Sequence, residues 1–198
     1  MPRSLRNYRG FLASTRGIAA VEFSLVFPIL LVLLLAAIDA GRAVAVSMKV
    51  RAAAYALDAM ANQYLYIYDS DMQQILGAAS IVLAPYSSGP ASVILSQIQV
   101  SASGQATVIW SDQLNGTART PGHTLAIPTN LTSTSATNKV CRDNTYPSCY
   151  LLLAEVSYTY TPMFGHFITG PINISDTVYV TPRSVTCIQR NGNIPASC

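Results

Sequence analysis

The chain predicts an α+β protein: a long N-terminal transmembrane helix that continues into an amphipathic helix and packs on a C-terminal antiparallel β-sheet with disulfides. Three observations lead there. An apolar stretch runs from Ile18 to Ile38, alanine-rich sequence follows to residue 68, and beyond Pro90 apolar and small polar residues alternate in strand-length runs. The matching division is a cytoplasmic basic leader at 1–17, a transmembrane helix at 18–38, an extracytoplasmic helical region at 39–84 and an antiparallel β-rich domain at 91–198.

The apolar stretch is long enough to span. Its helical length of about 31 Å matches the hydrocarbon thickness of a bilayer. Arg3, Arg6, Arg9 and Arg16 all precede it, with no acid before Glu22, so the N-terminus is expected inside and the remainder outside. Pro28 predicts a kink that the helix survives. Glu22 is the anomaly, because an ionised carboxylate within a membrane helix costs about 2.5–3.5 kcal/mol and needs a partner or a function. Cleavage after Gly17 would make Ile18 the first residue and place its new α-amino group one helical turn from Glu22.

Beyond the membrane, Asp39 and Arg42 are spaced to pair on one helix face, and Gly41 marks a hinge. Val44, Met48, Ala52, Tyr55, Ala59 and Met60 recur near helical spacing, with Lys49, Arg51 and Asp58 on other faces, so the helix is expected to continue through 43–68. Ser70 and Gln73 resemble a capping box, which predicts a second helix from Asp71 to Leu83 that Pro85 ends. The segment at 85–90 then reads as a loop.

Strand-like runs at Ser92–Val100 and Ala106–Trp110 flank a Ser/Gly segment around Gly104 and predict a hairpin. Residues 111–149, with Asn115-Gly116, Pro121-Gly122 and Pro128, read as a long surface loop with one short strand near Leu125. Tyr150–Tyr160 and Ile172–Val180 carry the clearest alternation and are expected to pair antiparallel, with either or both helices covering their apolar face. The connection between them carries turn residues and exposed aromatics.

Charge and cysteines bound the function. Lys plus Arg number 12 against 9 for Asp plus Glu, and the four leader arginines account for the excess. A chain near neutrality beyond its leader lacks the clustered cations a nucleic-acid partner requires. Cys141, Cys149, Cys187 and Cys198 fit structural disulfides in an oxidising compartment. Of the three connectivities, Cys141–Cys149 with Cys187–Cys198 closes two short loops and is the most economical; the others stay open. The spacings fit no common zinc module, and no metal or cofactor is expected. No catalytic residue is expected either: His123, His166 and Glu155 form no recognisable acid–base set, and no nucleophile, metalloprotease or phosphate-loop motif is present.

The segment RG-IAAVEF, the apolar run with its Phe-Pro pair and the closing Asp39-x-Gly41-Arg42 resemble the TadE-like minor pilins, or pseudopilins, of tight adherence (Tad, Flp-type) pilus systems. VSYTYTPMFG and ISDTVYVTPR resemble the same family. The resemblance implies a non-enzymatic subunit of the bacterial inner membrane, cut after Gly17 by a prepilin peptidase and assembling with other pilins or pseudopilins. It assigns Gly17 and Ile18 to the cleavage site and Glu22, the fifth mature residue, to register. Phe23 stands where such substrates often have tyrosine. A secretory signal cut near Ala43-Val44-Ala45 and an uncleaved anchor are the competing readings of the apolar stretch. A membrane-tethered binding module using its tyrosines is the competing function; exposure of Tyr66, Tyr68, Tyr86 and Tyr146 would favour it.

Overall fold

Helix α1, Ile18–Ala61, is continuous through both Pro28 and Gly41. The computed structural model describes residues 17–101, 104–128, 131, 148–183 and 185–191. After α1 come β1 (Tyr66–Ile67), α2 (Asp69–Leu83), β2 (Ala91–Ser101), β3 (Ala106–Leu114), β4 (Thr124–Leu125), β5 (Ser148–Tyr160), the short α3 (His166–Thr169), β6 (Ile172–Val180) and β7 (Gln189–Arg190).

Two halves of α1 meet different surroundings. Residues 18–34 are exposed apolar side chains almost throughout, whereas Val46, Val50, Ala53, Ala54, Leu57 and Ala61 are fully buried. Those six fall at helical spacing and form the face that packs on α2, β5 and β6. The stripe expected to be buried is the opposite one: Val44, Met48 and Tyr55 are exposed. Alanine and valine occupy both sides of this helix, so hydrophobic spacing alone does not choose between them.

The helix also stops earlier than expected. Asn62 closes it, its N–H donating to the Asp58 carbonyl at 3.0 Å, and the following Tyr-Leu-Tyr-Ile-Tyr alternates with a period of two. Tyr66 and Ile67 accordingly pair in parallel with Gln189 and Arg190. Helix α2 starts at Asp69, two residues before the expected position. Its entry is set by Asp71, whose carboxylate accepts the Tyr68 N–H at 3.0 Å, rather than by Ser70 and Gln73. Ala84, extended before Pro85, ends it.

The antiparallel sheet has the order β4-β3-β2-β5-β6. The expected β2–β3 hairpin and β5–β6 pair both form, and β2 lies beside β5 along its whole length. Strand β3 runs on to Leu114, into a region expected to be loop, and Asn115 then turns the chain with a positive φ of 54°. A register shift at Gln97/Ile98 changes which side chains of β3 share a face. Trp110 therefore faces the helices with Leu95, Leu152, Ala154 and Val156, while Ala106 and Val108 join Ile98, Val100, Leu151 and Leu153 on the other side. Leu125, Ile127 and Leu131 cover that second cluster. Burial on both faces explains the continuous Leu-Leu-Leu-Ala run of β5. Both helices serve as lids, α1 over β5 and β6 and α2 towards β2 and β3. The expected turn before β6 contains α3.

Candidate functional site

The N-terminal segment carries the residues singled out for processing. Gly17 precedes α1 with helical dihedrals of −88° and −17° and no side-chain cap, and Ile18 is the first helical residue. Glu22 lies one turn further on and is exposed, as is Phe23, whose ring packs 5.4 Å from that of Phe27. Positions 18 and 22 share one helix face. The leader arginines Arg3, Arg6, Arg9 and Arg16 lie outside the described residues. Helix α1 is long and apolar enough to cross a membrane, and none of its apolar window is buried against the rest of the protein.

Where the apolar stretch ends, the chain builds a clasp. The Asp39 carboxylate accepts the backbone N–H groups of Met163 at 3.1 Å, Phe164 at 2.9 Å and Gly165 at 2.7 Å. Tyr160 donates its hydroxyl to the Asp39 carbonyl at 3.4 Å. Burial alone would push the Asp39 carboxyl up, but the N–H donors of Gly165, Phe164 and Met163, with Arg42 adding its charge, hold it below the usual carboxylate range. Asp39 thus makes its bonds to the 163–165 loop, not the expected side-chain pair with Arg42. Arg42 instead donates to the Met163 sulfur at 3.0 Å. The two stretches that carry the family resemblance, Asp39-x-Gly41-Arg42 and the Tyr160–Gly165 turn, are therefore in direct contact.

Beside the clasp lies a cleft of about 520 Å³ lined by Arg42, Tyr86, Tyr158, Tyr160 and Met163 among others. Tyr86 is half-buried and meets Tyr158 edge-on, with ring centroids 6.4 Å apart. Tyr66 and Tyr68 are exposed, and Tyr146 lies outside the described residues.

Three further features complete the site, and the first overturns an expectation, since Asp58 lies on the packed face of the helix and not on a face away from it. Asp58 is 1% exposed, and neither of its carboxylate oxygens has a hydrogen-bond partner. Burial pushes its carboxyl up to about 8. Arg190 grips both oxygens of Asp112, at 2.8 and 3.0 Å, and reaches Asp69 at 2.6 Å, tying β7 to β3 and to the start of α2. Arg119 forms a two-point pair with Glu155 at 2.6 and 2.5 Å, which gives that glutamate a structural partner. No local pattern announces these contacts, because each joins residues far apart in the chain. Among the described residues no cysteine is free. The expected partners of Cys149 and Cys187, Cys141 and Cys198, lie outside the described residues.

Residues 17–57 match the family model described as TadE-like protein. No curated protein and no solved structure matches the chain. The matched segment contains Gly17, Ile18 and Glu22, the whole apolar stretch, the Asp39 side of the clasp and most of the buried face of α1.

Proposed function

We propose, from a TadE-like segment at 17–57 as premise, that the chain is a non-enzymatic minor pilin or pseudopilin. It takes part in assembly of a Tad (Flp-type) adhesive pilus. A prepilin peptidase cuts after Gly17, residues 18–38 anchor the mature chain in the bacterial inner membrane with the N-terminus cytoplasmic, and the β-rich region at 91–198 lies outside. The observation that carries this reading is the division of α1. One helix joins an unpacked apolar half, holding a single acid near its start, to a half buried under the sheet.

In this reading Glu22 sets register. A carboxylate and an α-amine on neighbouring helices neutralise each other in a low dielectric only at one axial stagger, since any other leaves both unpaired. Glu22 of this subunit meets the N-terminal amine of an adjacent pilin. The four cysteines are structural disulfides of the exported region.

Mass spectrometry of the mature protein tests the processing step. A start at Ile18 is expected; a start near Ser47 or an unprocessed chain rules it out. Glu22→Gln tests the register: the variant should be recovered with sheared pili at a yield reduced on the order of tenfold, and an unchanged yield counts against the pairing. Exposure of Tyr66 and Tyr68 favours one second reading, a tethered adhesin-like binding module. Recovery of the processed chain in membranes alone, never with pili, would select it.

A further inference from the structure

The loop held by Asp39 has an unusual surface. Met163 is 63% exposed, Phe164 42% and Ile172 38%, three large apolar side chains at one end of the sheet. Their height is fixed by the clasp. Asp39 directly follows the apolar stretch ending at Ile38, and it accepts the N–H groups of Met163, Phe164 and Gly165. Ile172 pairs with Tyr160, whose hydroxyl bonds the Asp39 carbonyl, so it lies at the same level. The loop cannot move away from the end of the apolar stretch without breaking the clasp.

The charges at this end fit the same surroundings. The Asp39 carboxylate is turned inward onto backbone donors. Arg42, one turn further along, acts on Asp39 through its charge but donates its N–H to a thioether, and among the described residues it makes no side-chain ion pair. Its cleft is walled by Tyr86, Tyr158 and Tyr160. Tyrosine belts and arginine at headgroup depth are the composition of a bilayer boundary.

We propose that this end of the domain makes a second contact with the bilayer, in which Met163, Phe164 and Ile172 enter the headgroup–acyl boundary and Arg42 takes a phospholipid phosphate in the tyrosine-lined cleft. The proposal rests on the reading that 18–38 spans the membrane. It adds that the domain rests on the bilayer surface instead of standing clear of it.

The test uses the full chain in phosphatidylcholine–phosphatidylglycerol vesicles, without bromine, with bromine on the shallow part of the acyl chains to report on the loop, and with bromine near the chain ends to report on the spanning helix. Trp110 is the only native tryptophan and sets the baseline. Indoles added by Phe164→Trp or Met163→Trp should lie roughly 5–10 Å into the boundary. Their emission should fall with brominated lipid and resist aqueous acrylamide. Phe27→Trp reports on the spanning helix separately. If Phe27→Trp is quenched by bromine while both loop variants are not, the proposal fails and the anchor stands; shielding of the loop indoles from acrylamide as well would identify a protein cover instead. An unquenched Phe27→Trp removes the anchor and the proposal together. Arg42→Glu should weaken bromine quenching of the loop indoles, and unchanged quenching overturns the phosphate contact.

Discussion

Two aspartates of one helix meet opposite fates. Asp58 is buried without a donor, and its carboxyl is pushed up from 3.8 to about 8. Between those values the unfolded chain releases a proton that the folded chain keeps, so stability falls as pH rises through the window. The slope is about 1.4 kcal/mol per pH unit for one proton. Asp58→Asn should remove it, giving detergent-solubilised protein whose denaturant midpoint changes little between pH 5 and pH 8. Asp39 has the reverse sign. Its carboxyl is held low by backbone donors, so its contribution is present above the ordinary carboxylate range and is lost as pH falls through the depressed value. Asp39→Asn leaves one acceptor oxygen where there were two. Amide exchange at Met163, Phe164 and Gly165 should then quicken on the order of tenfold while β5 stays protected. Neither environment is legible locally, because an acid after an apolar run looks the same whether it meets water, a turn or a core.

At the scale of elements, the long strands of the sheet are readable in the sequence, whereas the short β1 and β7 and the packed face of the helix are not. The pairing of β5 with β6 follows from alternation in EVSYTYT and NISDTVYVT, and the observed bounds of β6 are those expected. Helix α1 is apolar nearly all round, so Val44 and Met48 compete with Val46 and Val50 for the core; tertiary packing decides in favour of the second pair. Truncation separates the two faces. Leu57→Ala, in a fully buried site, should cost about 2–5 kcal/mol, whereas Met48→Ala should stay within about 0.5 kcal/mol. Residues 62–68 read as helix only because they follow one; the structure shows that their aromatic alternation is that of a strand. That strand needs β7, and β7 is held by Arg190. Arg190→Ala removes the two-point pair with Asp112 and should destabilise by about 1.5–3 kcal/mol, with exchange of the Asn191 and Gln189 amides rising first.

For the whole molecule, the sheet domain and the apolar stretch are joined by one helix and one clasp. The sequence displayed both partners of the clasp as segments with a family resemblance, but their contact depends on how β5 is laid against α1. The extended back face is hidden for a related reason: the sequence around Leu125 looks like loop, and only the second apolar cluster shows why Leu125, Ile127 and Leu131 are drawn in. A chain beginning at residue 39 tests the division. It should move from the membrane fraction to the soluble fraction while keeping slow exchange at Phe164 and Gly165.

The unbroken course of α1 has a mechanical consequence. Because the helix is unbroken from Ile18 to Ala61, torque and tension applied to the sheet pass into the apolar half as they would through a shaft. Each residue added to that shaft advances its phase by about 100° and its length by about 1.5 Å. A single alanine inserted between Leu33 and Leu34 would therefore swing Glu22 around the axis relative to the sheet without altering either end. The azimuth at which the domain faces its neighbours is thus written in the residue count of the helix.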